Sequence, residues 1–167
     1  LKHGRQNTDL VAVGDQIEFT MHEDGKGMVE NILPRSCMLV RLAPTPHGLY
    51  RQILLANIDQ LILIFACADP LPHLKMLDRF LVIAEKQGIP ATILFNKLDL
   101  IGIEKAEAQF GFYREIGYRL IFTSVKDGIG LDDFRSLLMD KLTALSGPSG
   151  VGKSSLLNAI QPGLGIA

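Results

Sequence analysis

The chain has 167 residues with a formal net charge of −1, and 47% of the residues are hydrophobic. This length suits one ordinary domain or two small ones, each with a buried core. The near-neutral charge excludes a basic field over the whole surface of the kind that attracts nucleic acid.

The longest apolar run, residues 61–68, is far shorter than the roughly 20 residues of a membrane-spanning helix. The first residues show no secretory signal pattern, so the sequence predicts a cytoplasmic protein without membrane contact. Cys37 and Cys67 are isolated, and we interpret both as reduced thiols. The sequence begins without the start of a helix or strand and stops just after the helix of the phosphate loop, so we expect it to be part of a longer protein.

The first third of the chain is predicted to contain only short strands and turns. Apolar residues are spaced as in a strand over residues 11–19, with a turn or bulge at Gly14-Asp15. A hairpin loop follows at 23–27, and then come strands at 28–33 and 37–42 with a turn between them at 34–36. Pro44, Pro46 and Gly48 mark a further loop. Several short strands without helices are typical of a small all-β barrel, and both an OB-fold and an SH3-like barrel fit. We therefore place a barrel domain at residues 1–56.

From residue 57 onward, strand and helix patterns alternate. The predicted elements are strand 61–68, a helix around 74–84, strand 91–95, helix 104–116, strand 119–123, helix 131–138, strand 141–146 and a helix beginning near residue 155. Repeated strand–helix units predict an α/β domain at residues 57–167, a parallel sheet with helices on both faces.

Residues 147–154 read GPSGVGKS and match the phosphate-binding pattern G-x-x-x-x-G-K-[ST]. The glycines let successive backbone N–H groups turn onto phosphate oxygens, and the start of the following helix adds partial positive charge. We expect Lys153 to reach the outer phosphates and the Ser154 hydroxyl to bind a bridging Mg²⁺ ion. The motif alone does not separate ATP from GTP.

Residues 96–99 read NKLD at the carboxyl end of a predicted strand, the edge where ligands of open α/β sheets bind. The Asp99 carboxylate can accept hydrogen bonds from the ring N–H and the exocyclic amine of guanine, a pair of donors that adenine lacks. Asn96 can link neighbouring loops, and the stem of Lys97 can cover a ring face. Residues 124–126, reading SVK, end the next strand and are similar to the Ser-Ala loop with which GTPases offer a backbone N–H to the guanine oxygen.

The guanine-reading motif precedes the phosphate loop, whereas most GTPases have the opposite order. This order predicts a circularly permuted P-loop GTPase domain. Two D-x-x-G strings, at residues 24–27 and 127–130, are interpreted as turns. We expect the switch segment and the functional D-x-x-G to follow the phosphate loop, beyond Ala167, so the sequence names no residue that positions the attacking water.

Taken together, these motifs resemble the RsgA (YjeQ) family of circularly permuted GTPases of small-ribosomal-subunit biogenesis. Besides the two nucleotide loops, the resemblance includes VAVGD at residues 11–15, ILPR at 32–35 and ANIDQ at 56–60. It implies an OB-fold that contacts ribosomal RNA, a permuted GTPase domain and a C-terminal zinc-binding domain. No zinc ligand set can be built from Cys37, Cys67 and the four histidines, so Zn²⁺ is expected only in a domain absent from this sequence.

The family further implies GTP and GDP as ligands with Mg²⁺, GTP hydrolysis late in small-subunit maturation, and the small subunit and its rRNA as partners. We expect a monomer. The residues predicted to contact nucleotide or metal are Asn96, Lys97, Leu98, Asp99, Ser124, Val125, Gly147, Pro148, Ser149, Gly150, Val151, Gly152, Lys153, Ser154 and Ser155. The rRNA contact is also carried by the resemblance, because residues 1–56 hold equal numbers of basic and acidic side chains.

Two alternatives stay open. A P-loop ATPase or small-molecule kinase could carry an accidental NKLD, although such enzymes usually begin with the phosphate loop. A module that binds nucleotide without hydrolysing it fits if these residues are the whole polypeptide.

Overall fold

A computed structural model of the chain describes residues 11–22, 25–45 and 48–166. The chain divides into two compact units, Leu1–Ile58 and Asp59–Ala167. The predictions made for residues 1–10, for positions 23–24 of the hairpin loop and for Pro46 lie outside the described residues. Within the described ranges, no helix has both the length and the apolar character needed to cross a membrane.

The first unit contains two antiparallel strand pairs. Its strands are β1 (Ile17–Met21), β2 (Gly27–Ile32), β3 (Met38–Thr45) and β4 (Gly48–Ala56). β1 pairs with β2 and β3 pairs with β4, and each pair has one irregular step in its register. The described part of this unit therefore consists of short strands without a helix, as its sequence predicts.

The strand prediction for residues 11–13 is wrong, because this segment forms a turn and β1 begins only at Ile17. Asp15 closes the turn: one oxygen of its carboxylate accepts the Ala12 N–H at 2.8 Å, and Arg35 binds both carboxylate oxygens. The Arg35 guanidinium lowers the pKa of Asp15 below its usual value. Gly14 has φ +92°, and a Cβ there would lie 2.1 Å from the carbonyl oxygen of Ala56. The spacing of apolar residues alone does not reveal that the Asp15 carboxylate closes a turn here.

The second unit is a four-stranded parallel sheet with helices. Its strands are β5 (Gln60–Ala66), β6 (Ala91–Asn96), β7 (Arg119–Phe122) and β8 (Thr143–Ser146); its helices are α1 (Leu74–Gln87), α2 (Ile103–Phe110), α3 (Phe112–Glu115), α4 (Leu131–Leu138) and α5 (Lys153–Ile160). The strand order is β7-β6-β5-β8, with every neighbouring pair parallel. The predicted α/β architecture is confirmed for this unit.

Helices cover both faces of this sheet. On one face, Ile62 and Ile64 of β5 form a buried cluster with Phe134 of α4 and Leu156 of α5. On the other face, the Phe95 ring of β6 stacks on Phe110 of α2, with ring centroids 4.0 Å apart. Right-handed crossovers place α1 on the Phe95 face as well, because β5, β6 and β7 follow one another in a single direction across the sheet.

Several predicted elements have different bounds, and two of the differences have a local cause. The predicted helix 104–116 is interrupted at Gly111, and beyond it the Arg114 N–H donates to the carbonyl of Gly111, three residues back rather than four. Glycine is the weakest helix former apart from proline, so the helix loses little stability when its hydrogen bonding changes at Gly111. β8 begins at Thr143 rather than residue 141, and the preceding Leu142 exchanges hydrogen bonds with Asp59 just outside the sheet.

Candidate functional site

The predicted nucleotide loops lie together at the carboxyl edge of the parallel sheet. β5 continues through α1 toward β6, whereas β8 pairs with the other side of β5 and continues into α5 on the opposite face. The chain therefore leaves β5 and β8 in opposite directions. This arrangement opens a crevice at the strand ends, which is where ligands of open α/β sheets bind.

The phosphate loop runs between β8 and α5 and passes very close to β5. A Cβ on Gly147 would lie 1.9 Å from the carbonyl oxygen of Ile64, so only glycine fits at the first position of the motif. Gly150 and Gly152 have backbone φ angles of +80° and +93°, which residues other than glycine rarely adopt. The loop therefore folds back on the sheet as a curl of backbone followed by a helix N-terminus, an arrangement suited to phosphate.

Lys153 is the first residue of α5, and its side chain turns back over the loop. Its Nζ donates to the carbonyl oxygens of Gly147 at 2.9 Å and of Pro148 at 2.7 Å. Two carbonyls thus hold the ammonium group above the curl, next to the helix end. This placement brings a positive charge and a positive dipole end to the same point.

The next two residues differ in exposure. Ser154 is half-buried, Ser155 is exposed, and both belong to the first turn of α5. A half-buried hydroxyl beside Lys153 fits a Mg²⁺ ion, which takes one or two protein oxygens and completes its shell with phosphates and water. Among the described residues, no group of three or more His, Cys, Asp or Glu side chains could hold a metal ion.

Asn96 connects three loops of the site. Its side chain is buried, its Oδ1 accepts from the Thr123 hydroxyl at 3.0 Å, and its Nδ2 donates to the Val151 carbonyl at 2.9 Å. A Cβ on Gly152 would lie 2.4 Å from this Nδ2. Position 152 therefore has to be glycine, because any larger side chain would collide with the Asn96 amide.

Lys97 and Leu98 shape the turn that follows β6. Lys97 has φ +63°, and its Nζ donates to the carbonyl oxygen of Asp69 in the loop after β5. Leu98 is buried, and its N–H donates to the Thr123 carbonyl at 3.0 Å. Leu98 thus anchors the turn to the end of β7, and the side chain of Lys97 reaches the loop after β5.

The Asp99 carboxylate is held by the loop after β7. The Ser124 hydroxyl donates to Asp99 Oδ1 at 2.8 Å and accepts the Asp127 N–H at 3.1 Å. An ionised carboxylate has about four acceptor positions, so a ligand can still donate two hydrogen bonds to it. Val125 follows Ser124 and packs against the buried cluster that includes residues of α4 and α5. Asp127 lies in the turn before α4, as predicted.

Cys67 directly follows β5, next to the end of β6, and is 2% exposed. Its N–H donates to the Asn96 carbonyl at 2.7 Å. Burial, with a smaller contribution from the negative charge of Asp99, raises the pKa of the Cys67 thiol to about 12. The thiol is therefore protonated at neutral pH and acts as a packing group. Cys37 is half-buried, and both thiols are free.

The structure thus brings together the residues of the two motifs and of the loop after β7. Three contributions were not predicted from the sequence: the Thr123 hydroxyl, the Asp69 carbonyl, and the side chain of Ser124, for which only the backbone was considered. The doublet Thr123-Ser124 at a strand end is a possible signal for the hydroxyls. A backbone carbonyl such as that of Asp69 leaves no signal in the sequence. A buried amide, an oriented carboxylate and a cationic loop at one edge can bind a base and a phosphate chain together.

Comparison with known proteins agrees with this geometry. The family described as RsgA GTPase matches residues 32–167. The chain is 44% identical over 152 residues to the small ribosomal subunit biogenesis GTPase RsgA of Alkaliphilus metalliredigens, covering 90% of this chain and 48% of that protein. The protein of the same name from Gemmatimonas aurantiaca is 43% identical over 171 residues, with 99% and 54% covered.

Two solved structures have a similar fold. The crystal structure of YjeQ from Thermotoga maritima has a TM-score of 0.74 and 36% identity, covering 92% of this chain and 52% of that one. The crystal structure of YloQ, described as a circularly permuted GTPase, has a TM-score of 0.67 and 34% identity, with 95% and 53% covered. The chain spans about half the length of the curated relatives it matches.

Proposed function

Because the chain belongs to the RsgA GTPase family, we propose that it forms the nucleotide-binding part of a GTPase that acts in maturation of the small ribosomal subunit. The relatives carry that role in their names. The observation that carries the proposal is the hydrogen bond from Asn96 Nδ2 to the Val151 carbonyl. It makes the guanine-reading loop and the phosphate loop one site, despite their reversed order along the chain.

In this proposal, Asp99 accepts the ring N–H and the exocyclic amine of guanine. The Ser124 hydroxyl orients that carboxylate, and the backbone of Ser124-Val125 faces the guanine oxygen. The stem of Lys97 covers one face of the base, fixed at its far end by Asp69. Adenine would leave the half-buried carboxylate without these two donors, which disfavours ATP strongly.

The phosphate chain lies in the curl of residues 147–152. Lys153 exchanges its carbonyl partners for the outer phosphate oxygens, and the Ser154 hydroxyl, with Ser155 beside it, would hold Mg²⁺. When bound, Mg²⁺ neutralises charge that develops on the phosphates as the bond to the terminal phosphoryl group breaks. Attack by water gives GDP and phosphate. We propose that the group orienting this water comes from further along the longer protein.

The finer features remain proposals from family membership. We propose that Leu1–Ile58 belongs to an OB-type barrel that contacts rRNA, that the protein is a cytoplasmic monomer, and that any Zn²⁺ binds in a separate C-terminal domain. The two antiparallel pairs β1–β2 and β3–β4 support the barrel. Within this unit, Arg35 binds Asp15.

The decisive experiment is nucleotide competition on the full-length protein. Labelled GDP should be displaced by GTP and GDP but not by ATP, and Asp99→Asn should shift preference from guanine toward xanthine nucleotides, because xanthine presents an acceptor where guanine has its amine. Tight binding of ATP would instead support an ATPase or kinase. Binding of GTP without turnover, even with small subunits added, would support a module that binds nucleotide without hydrolysing it.

A further inference from the structure

The outer face of α1 carries an unusual arrangement of charge. Five exposed residues lie within an arc of about 100° on this helix, opposite its buried side. We call them the α1 stripe: Lys75, Arg79, Val82, Ile83 and Lys86. Val82 and Ile83 are 66% and 36% exposed, so two aliphatic side chains face solvent between cations placed toward both ends of the helix.

The acidic residues of the same helix are held on one flank. The Tyr113 hydroxyl donates to Asp78 Oδ1 at 2.8 Å, and the Tyr118 hydroxyl donates to Glu85 Oε1 at 3.3 Å. Burial raises the pKa of both tyrosines, and the carboxylates raise it further, so both hydroxyls remain donors at neutral pH. The acids are thereby held beside their tyrosines, and among the described residues they form no ion pair with the cations of the stripe.

The three cations of the stripe have no such partners. Across residues 11–22, 25–45 and 48–166, no hydrogen bond or ion pair engages the side chains of Lys75, Arg79 or Lys86. A shallow groove of about 400 Å³ adjoins them, lined by Asp78, Arg79, Val82 and Ile83. Val82 and Ile83 form its apolar walls, and Arg79 and Asp78 lie at its border, which resembles the apolar centre and polar rim of a protein interface.

The chemistry of the α1 stripe favours a protein over RNA. Its centre is aliphatic and offers no aromatic ring on which a base could stack. Asp78 and Glu85 lie along one flank, where they would repel a continuous line of phosphates. A protein segment with apolar side chains in its middle and carboxylates only toward its ends complements the aliphatic centre and the cations at the two ends of the stripe, and it places no continuous line of negative charge beside the acidic flank.

We propose that the α1 stripe docks an acidic, amphipathic protein segment presented by the small ribosomal subunit. Two carboxylates of the segment would pair with Lys75 or Arg79 at one end and with Lys86 at the other, about 10–16 Å along the helix axis. Its apolar side chains would cover Val82 and Ile83. This inference rests on the proposed function, because the small subunit is where the partner is sought.

The test places a photo-reactive benzoylphenylalanine at Val82 of the full-length protein, bound to purified small subunits with a GTP analogue. Co-sedimentation first establishes binding, and mass spectrometry then identifies the crosslinked product. We expect a crosslink to a protein segment with carboxylates on both sides of apolar residues. The same group at Lys105, an exposed residue of α2, serves as the control position and should not label that segment.

Charge reversal supplies a second readout. Arg79→Glu with Lys86→Glu should lower the crosslink yield from position 82 about tenfold, whereas Lys105→Glu with Lys141→Glu, an equal change of charge elsewhere, should not. A crosslink to rRNA, or none while co-sedimentation persists, overturns the inference and leaves the proposed function intact. Failure of the unmodified protein to sediment with the subunit contradicts the proposed function, and the inference falls with it.

Discussion

The Ser124 hydroxyl donates to the Asp99 carboxylate across 2.8 Å, which joins the loop after β7 to the proposed base-reading residue in the turn after β6. The same hydroxyl is fixed by the Asp127 N–H. The orientation of the carboxylate is therefore set before any base arrives. Preorganisation of this kind lowers the ordering cost of binding.

Ser124→Ala should weaken GDP binding about tenfold or more, since a hydrogen bond to a charged group contributes roughly 1.5–3 kcal/mol. Titration calorimetry with GDP measures the loss. Ser136→Ala, at an exposed position of α4, is the matched control and should leave the affinity unchanged. Equal affinities for the Ser124 variant and the unmodified protein would show that Asp99 needs no support from β7.

Asn96→Ala should destabilise the protein even without nucleotide. It leaves the Val151 carbonyl and the Thr123 hydroxyl without their buried partner, at a cost of about 1–3 kcal/mol in the free energy of unfolding. Urea unfolding of the nucleotide-free protein measures this. Asn31→Ala removes an exposed side-chain hydrogen bond to Glu18 and should change stability by less than about 0.5 kcal/mol. A loss of binding in Asn96→Ala with unchanged unfolding would assign Asn96 to the ligand alone.

Gly152→Ala should abolish detectable nucleotide binding. The new methyl would lie 2.4 Å from Asn96 Nδ2, so either the amide or the phosphate loop must move. Gly163→Ala is a stringent control, because Gly163 has a similar φ of +101° but open space around it. Both variants carry the left-handed backbone cost of about 1–2 kcal/mol, and only Gly152→Ala adds the clash. Equal binding by the two variants would contradict the proposed contact between the loops.

Cys67 should resist alkylation in the native protein at pH 8, because its pKa of about 12 leaves almost no thiolate. Half-buried Cys37 should react faster, and mass spectrometry of modified peptides separates the two. The raised pKa also gives a pH dependence. Stability from the protonated Cys67 is fully present below the ordinary thiol pKa near 9 and is lost as the pH rises from there toward 12.

Cys67→Ala tests that pH dependence, because it removes the ionisable group. Unfolding measured between pH 8 and pH 11 should show a smaller decline in the variant than in the unmodified protein. Cys37→Ala should retain the full decline. A parallel decline in all three proteins would mean that other groups dominate the alkaline transition.

Much of the second unit could be predicted from the sequence because its signals are local. The apolar run at β5 and the glycine spacing of residues 147–152 each depend on neighbouring residues. The link between Asn96 and Val151 could not be predicted in detail, because it depends on which strands become neighbours in the sheet. The turn at residues 11–13 was mistaken for a strand, because valine spacing fits a strand while Asp15 closes a loop through side-chain bonds. Gly111 shows a related limit: helix periodicity continues through it, although the hydrogen bonding changes there.

The order of the loops along the chain has a consequence for how the protein is made. During synthesis, β5, β6 and β7 leave the ribosome before β8, so the base-reading half of the site can assemble while the phosphate loop is still being translated. Until Val151 emerges, the amide of Asn96 lacks the carbonyl to which it donates in the finished fold. We therefore expect a nascent chain to hold a whole nucleotide only after residues 147–154 have followed and this hydrogen bond has formed.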